Sequence, residues 1–263
     1  MVLRAFSQQT DREFRVIVAD DGSDATTKAV VTAAQADFLY GISHVWQEDE
    51  GFRAAAIRNK AILATDADYI IFTDGDCVPR PHFMAAHKGL AERGWFVAGN
   101  RILLSQRLTD TLLKDGKSPP IWTWSLMTLL RSRMRADINS IVSLIRAPLG
   151  WSLRKLTKAR WVGVKTCNLA VWRTDLEAIN GFEESYVGWG FEDSDLVIRL
   201  LRYGIRHKSG RWAAPVFHLW HKENDRSHVE TNLARMHGAL AEDSIEAKRG
   251  LSSHGDRRTL EAK

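Results

Sequence analysis

The chain has 263 residues, 44% of them hydrophobic, with 37 Lys and Arg against 32 Asp and Glu and a formal net charge of +5. This length and apolar content exclude a disordered chain and provide for one large α/β domain or two smaller ones. The mild positive excess suits anionic substrates or an anionic membrane surface and does not by itself imply nucleic acid. Two cysteines, Cys77 and Cys167, stand far apart without metal-ligand spacing, which fits a reducing compartment rather than a disulfide scaffold. No signal peptide opens the sequence, and no apolar run reaches the roughly 18 to 20 residues of a spanning helix. The expected location is cytoplasmic.

Met1 to Thr10 reads as the back half of a helix, with Val2, Leu3 and Phe6 on one face. A strand from Phe14 to Ala19 ends in Asp20-Asp21-Gly22-Ser23, and a helix follows from Ala25 to about Ala36. In open α/β sheets ligands collect beyond the carboxyl ends of strands, so acids placed there are candidates for binding. A second strand, Ile42 to Trp46, leads to an alanine-rich helix from Ala54 to Thr65. The β-branched and aromatic run Tyr69 to Thr73 then stops in Asp74-Gly75-Asp76, ahead of Pro79. Hard oxygen ligands on a tight turn suit Mg²⁺ or Mn²⁺, and a cation held there can bind a diphosphate; Asp-Gly is equally an ordinary turn. Strands alternating with helices predict a largely parallel sheet.

Pro81 to Arg93 reads as a helix and Trp95 to Ala98 as a strand. The segment 105–160 differs in character. It carries Trp122, Trp124 and Trp151 among apolar residues, and Arg131, Arg133, Arg135, Arg146, Arg154, Lys155, Lys158 and Arg160 against few acids. Such interleaving serves either an interfacial helix pair on anionic lipid or helices packed on the domain with a solvated basic face; no nucleic-acid motif accompanies it. Trp161 to Trp172 reads as strand, Asp175 to Ile179 as a short helix, and Tyr186 to Asp195 as a loop containing GWGFEDSD. An amphipathic helix from Leu196 closes at Gly204, a last strand spans Ala214 to Leu219, a helix spans about Asn232 to Ala247, and a frayed tail starts at Arg249. The expected units are 1–104; 105–160, a basic helical insert; 161–225; and 226–263, a polar helical tail.

Asp20/Asp21, Asp74/Asp76, Glu192/Asp193 and His218/His221 thus lie at element ends. Moving a sugar from a nucleotide diphosphate needs an acid for the base or ribose hydroxyls, a metal site for the diphosphate and a carboxylate to deprotonate the acceptor. DDGS at 20–23, EGFRAAAIRN at 50–59, DGDCVPRP at 74–81, CNLAVWRTDLEAINGF at 167–182 and GWGFEDSDL at 188–196 carry a resemblance. Apart from the insert and the tail, the chain resembles an inverting family 2 glycosyltransferase of GT-A fold, with a carboxyl half similar to a galactosyltransferase-type module.

The resemblance implies an α/β, Rossmann-like domain with a mostly parallel central sheet flanked by helices, 1–104 as its nucleotide-sugar-binding half without the first strand, 161–225 as its acceptor and catalytic half, and a helical insert between them. It implies a UDP-sugar donor, a hydroxyl acceptor on a glycan or glycolipid of the bacterial surface, and Mn²⁺ or Mg²⁺ as cofactor. Asp21, with Asp20 beside it, would contact the uridine, and Arg53 and Asn59 the phosphates, unless these two merely cap or salt-bridge their helix. Asp76 would ligate the metal together with His221 and His218, and Asp74 would meet the ribose or a metal-bound water. Asp193 would be the base and Glu192 would orient a sugar, against the plain reading of both as an acidic helix start. Trp189 would stack on a sugar face, with Gly188 and Gly190 freeing its loop to close; a packing tryptophan is the alternative. The basic insert extends the expectation to an anionic membrane at the inner face of the plasma membrane.

The resemblance also implies a strand ahead of the first helix, in the middle of the sheet, whereas Met1-Val2-Leu3-Arg4 already reads as that helix. A vacant central position would leave buried backbone groups unpaired at about 1 to 3 kcal/mol each. The expectation is low stability or activity unless another segment fills the gap. Two other functions compete. A nucleotidyltransferase would want a glycine-rich phosphate loop near the amino terminus, and none is visible; a catalytically impaired sugar-nucleotide or glycan-binding module would have no need of a base such as Asp193.

Overall fold

The computed structural model describes residues 1–114, 120–156, 161–223 and 225–255, so Lys158 and Arg160 of the basic segment and 256–263 of the tail lie outside the described residues. In chain order the elements are α1 (Val2–Ser7), β1 (Val16–Asp21), α2 (Ala25–Ala34), β2 (Ile42–Gln47), α3 (Ala54–Leu63), β3 (Tyr69–Thr73), β4 (Cys77–Pro79), α4 (Phe83–Leu90), β5 (Trp95–Ala98), β6 (Arg101–Leu103), α5 (Gln106–Lys114), α6 (Leu126–Met134), β7 (Asn168–Trp172), α7 (Arg173–Ala178), α8 (Glu192–Arg202), β8 (Arg206–Ser209), β9 (Val216–His218) and α9 (Val229–Ala241). Local chemistry sets several starts. Asp24 caps α2 by accepting from the Thr26 amide at 2.9 Å, and Ser125 caps α6 by accepting from Thr128.

The strands form three groups: β1-β2, β3-β7-β5-β8 and β4-β9-β6. The expectation of a largely parallel sheet is corrected to a mixed one. β1 pairs with β2, and β5 with β8, in parallel, but β7 runs antiparallel to both β3 and β5, placing Ala170 opposite Ile71 on one side and Val97 on the other. The cause is long-range: β7 returns only after the whole of 105–160, inserts between two strands already laid down, and brings the opposite sense with it.

The largest apolar cluster sits under this four-stranded sheet. It joins Phe72, Phe96, Leu169 and Val171 to Leu176, Phe182, Leu196, Val197 and Leu200 of the layer below. The tail contributes too: Leu251 is buried in this cluster, so the residues just past Arg249 are docked rather than frayed. A second cluster packs Val78, Ile102 and Phe217 against Leu108, Trp122, Leu129 and Ile138. The basic segment is therefore seated on the β4-β9-β6 sheet, with regular helix only in α5 and α6 and single turns elsewhere among its described residues.

β1 and β3 are not hydrogen-bonded to each other. Both line one cavity of about 1320 Å³, with Val16, Val18, Ile70 and Phe72 along its trough, Met1, Val2 and Phe6 against it, and Asp21, Asp74, Asp76 and Asp193 at its rim.

Candidate active site

The β1 carboxyl end presents its two acids differently. Asp20 is buried and accepts from the Ser23 amide at 2.9 Å and from His44 Nε2 at 2.8 Å. Burial works against its ionisation, but these hydrogen bonds outweigh it and hold its carboxyl below the usual range. Asp20 thus ties the turn together, while Asp21 faces the cavity. Asp21 accepts from Gln47 Nε2 and from the Arg53 amide, both at 2.5 Å, which welds β1, β2 and the start of α3 into one edge. Gly22 is needed here, because at φ +86° a Cβ would stand 2.5 Å from Asp49.

Neither phosphate candidate is brought to the cavity wall. The Arg53 side chain is spent locally, donating to the Glu48 carbonyl at 2.7 Å and pairing with Glu50. Asn59 is fully buried, donates to the Phe182 carbonyl at 2.9 Å and Glu184 at 2.8 Å, and accepts from the Phe182 amide. It anchors the 182–184 turn to α3. Among the cations that do line the cavity is Arg58, on the same helix as Asn59 and absent from the sequence reading. Its guanidinium bridges Asp74 at 3.2 Å and Glu192 at 3.1 Å, joining the strand-end turn to the acidic helix. Although burial opposes it, those two carboxylates raise its pKa further, so it is permanently charged. In the sequence only its place one residue before Asn59 signalled it.

The Asp-Gly-Asp turn and the end of β9 meet, because β4 pairs with β9 and sets Cys77 opposite His218. His221 Nε2 lies 3.2 Å and His218 Nε2 3.5 Å from the same Asp76 Oδ2. The His221 Nδ1 atom donates to the Lys222 carbonyl at 2.8 Å, which aims Nε2 at Asp76. A divalent ion with ligands at about 2.1 Å places adjacent ligand atoms roughly 3 Å apart, so these residues fit the ion expected from the sequence. Asp74 borders this site; burial and the neighbouring Asp76 raise its pKa against the pull of Arg58.

Opposite stands the start of α8. The sequence reading left Glu192 and Asp193 in a loop, but the helix begins with them. The chain turns sharply into it: Gly188, Gly190 and the non-glycine Phe191 all have left-handed φ, at 75°, 109° and 75°. Asp193 lines the cavity and is 6% exposed. Lys165 Nζ lies 3.6 Å from its Oδ2, while its Oδ1 is buried without a hydrogen-bond partner among the described residues. Burial first, and Glu192 second, push its pKa up, with Lys165 and Arg58 opposing. Asp195, by contrast, is consumed by a buried pair with Arg199 at 2.7 Å. Trp189 and Gly190 line the cavity, with the Arg226 guanidinium 5.3 Å from the Trp189 ring. Gly188 does not; it is packed so closely that a Cβ would stand 2.7 Å from His228.

Comparison with known proteins fits this geometry. The family model described as "Glycosyl transferase family 2" matches residues 1–143, and one described as "N-terminal domain of galactosyltransferase" matches residues 154–222. The chain belongs to glycosyl transferase family 2. It is 27% identical over 210 residues to validoxylamine A glucosyltransferase of Streptomyces hygroscopicus subsp. jinggangensis, covering 73% of this chain and 45% of that protein. It is 27% identical over 216 residues to the hyaluronan synthase of Pasteurella multocida, covering 77% and 21%. This family 2 chain therefore spans less than half the length of either relative. Among solved structures, S. aureus TarS residues 1–349 in complex with UDP-GlcNAc superposes with TM-score 0.62 at 12% identity, covering 96% of this chain and 64% of that one. GalNAc-T7 with UDP, GalNAc and Mn²⁺ gives TM-score 0.52 at 14% identity, covering 84% and 41%. These two likenesses establish the GT-A fold.

Proposed function

We propose that this protein is a metal-dependent, inverting glycosyltransferase that moves a sugar from a UDP-sugar to a hydroxyl of a glycan or glycolipid. The observation that carries this reading is Asp193 Oδ1, a buried carboxylate oxygen with no hydrogen-bond partner among the described residues, at the wall of a cavity whose facing rim holds Asp76 and two imidazoles. An unpaired buried acceptor is costly unless something is meant to arrive there, and an acceptor hydroxyl fits. The names of related proteins support the donor class: UDP, UDP-GlcNAc and Mn²⁺ appear with the structural neighbours.

Asp21 holds the edge where the nucleotide base would lie. Asp76, His218 and His221 would hold Mn²⁺ or Mg²⁺, which when bound neutralises charge on the leaving diphosphate. Arg58 keeps Asp74 and Glu192 in place between the two rims. Asp193 takes the proton from the acceptor oxygen as that oxygen attacks the anomeric carbon; its raised pKa makes it a stronger base than a free carboxylate. Trp189, half exposed at the cavity mouth, offers a flat face to a sugar ring. One displacement on the face opposite the leaving group inverts configuration.

The acceptor is proposed to be presented at an anionic membrane. No helix among the described residues is long and apolar enough to cross a bilayer. Yet Leu126, Met127, Met134, Val142 and Ile145 are exposed, and Arg131, Arg133, Arg135 and Arg146 beside them have no carboxylate within 4 Å among the described residues. Calorimetric titration of UDP tests the donor site: binding is expected with Mn²⁺, absent without it and lost in Asp76→Ala. Metal-independent UDP binding, unchanged in that variant, would sink the assignment.

A further inference from the structure

Cys77 opens β4 directly after the Asp-Gly-Asp turn, and Cys167 closes the loop that enters β7. Far apart in sequence, the two thiols are neighbours in space, both free and both buried, and the Cys77 thiol donates to Asp76 Oδ1 at 3.4 Å. Asp74 completes the group: a carboxylate oxygen and the two sulfurs all lie within 4.8 Å of one another. Sugar transfer as derived above uses neither sulfur. The three residues come from a strand-end turn, a short strand and a separate loop, so the chain's topology, not local sequence, assembles them.

We propose that Cys77, Cys167 and Asp74 form a second cation site, for a thiophilic divalent ion such as Zn²⁺ or Cd²⁺, adjoining the site at Asp76, His218 and His221, whose Asp76 and His218 donor atoms also lie within 4.8 Å of the Cys77 sulfur. Donor chemistry separates the two: thiolates select Zn²⁺ and its softer congeners, whereas Mg²⁺ and Mn²⁺ ask for oxygen. Tetrahedral zinc with sulfur at about 2.3 Å and oxygen at about 2.0 Å sets its sulfurs roughly 3.8 Å apart and each sulfur roughly 3.5 Å from the oxygen. Both spacings fall inside the observed limit. The fourth position opens to the cavity, which Asp74 and Cys167 both line.

Binding breaks two S–H bonds and forms two metal–sulfur bonds; both protons pass to solvent and no electron is transferred. Two thiolates and a carboxylate around a divalent ion leave one net negative charge. Arg58, 3.2 Å from Asp74, and Lys165, on the cavity wall, stand ready to offset it. A bound ion competes with Arg58 for Asp74 and loosens the turn that carries Asp76. That consequence, and it alone, rests on the donor-site reading above.

The test is Cd²⁺ titrated into the apo chain and followed by thiolate-to-metal charge-transfer absorption in the ultraviolet. One equivalent is expected to bind in the wild type and in Asp76→Ala, Mn²⁺ to give no band, and the near-isosteric Cys167→Ser to lose it. Without any variant, bound Cd²⁺ should protect both cysteines from alkylation as mapped by mass spectrometry. No band in the wild type, a band that survives Cys167→Ser, or cysteines alkylated at an unchanged rate would overturn the site. The readout is the bound ion, so a protein that transferred no sugar would still report it. Zn²⁺ should also weaken UDP binding in the wild type and not in Cys167→Ser; undiminished UDP binding overturns the coupling to the donor site.

Discussion

The two rims of the cavity are built to different standards. The Asp193 rim rests on α8, nine of whose eleven residues are buried, and on β5 and β7, buried almost throughout. The Asp21 rim rests on β1 and β2, a separate two-stranded sheet in which β1 has one buried residue, Asp20. A base has to be held to a fraction of an ångström against the reacting carbon, and packing supplies that. A nucleotide edge joined across an open trough has room to move, and its polar contacts, Asp21 with Gln47 and Arg53, preserve its own shape rather than its distance from the base.

The strongest way to break the rigid rim is Asp193→Asn. Loss of a general base is expected to lower turnover by roughly 10²- to 10⁴-fold with UDP affinity unchanged. Stability should move the other way. The folded state raises the Asp193 pKa, so the native protein holds that proton longer than the unfolded chain. Its contribution is favourable below the unfolded pKa and is lost as pH climbs toward the folded one, leaving a penalty at neutral pH. Asparagine removes that penalty, so the urea midpoint should rise at pH 7 and converge with the wild type in acid. A residue serving only as an acidic helix start would lose stability at pH 7 instead.

Next in size is the tie between the rims. Arg58→Met leaves Asp74 and Glu192 without their shared cation, and because the pair is only partly buried the cost is about 2 kcal/mol, between exposed and buried cases. Combining it with Glu192→Gln should recover part of the loss, a non-additivity read from urea midpoints. Additive effects would mean that Arg58 does not couple the two rims.

Much of this was legible in the sequence, and the failures share a cause. β1, β2, β3 and β5 announce themselves by apolar runs that stop in acids or turns, and the family resemblance grouped Asp76, His218 and His221 before any fold was in hand. The sense of β7, the docking of Leu251, the bridge made by Arg58 and the contact between Cys77 and Cys167 are all set by residues distant in sequence. Local periodicity carries no information about such partners. Arg154 is the sharpest example: it read as part of a basic face, yet it is buried and donates to the carbonyls of Ala147, Pro148, Ser209 and Arg211. Arg53 and Asn59 show the converse, polar side chains at the start of the right helix and on it that are spent on nearby backbone carbonyls and on the carboxylates of Glu50 and Glu184.

A gentler perturbation probes the hinge into α8. Gly188 holds φ +75° and its missing Cβ leaves room for His228, while its amide donates to the Phe52 carbonyl at 2.8 Å. Gly188→Ala should cost about 1 to 2 kcal/mol through left-handed strain and displacement of the histidine. If the loop also aims Asp193, turnover should fall while UDP binding holds; a loss confined to stability would make Gly188 a packing position alone.

The smallest expected effect concerns the basic segment, where the comparison turns from the two rims to the surface that would bring an acceptor to them. Arg154 and Lys155 are engaged within the fold, Lys155 pairing with Glu92 at 2.6 Å, so they contribute little to an outward charge. Arg133 is exposed on α6 beside Met134, which is 86% exposed, and has no ion pair among the described residues. On a vesicle containing anionic lipid, each such arginine contributes about 1 kcal/mol, a roughly fivefold change in partitioning. Arg133→Gln should therefore weaken co-sedimentation with anionic vesicles about fivefold at low salt, and Lys155→Gln much less. Added salt should shrink the difference, because it screens charges beyond a Debye length. Equal effects of the two substitutions, or binding indifferent to lipid charge, would return the segment to the plainer role its buried Trp122 and Leu129 already fill, a cover for the β4-β9-β6 sheet.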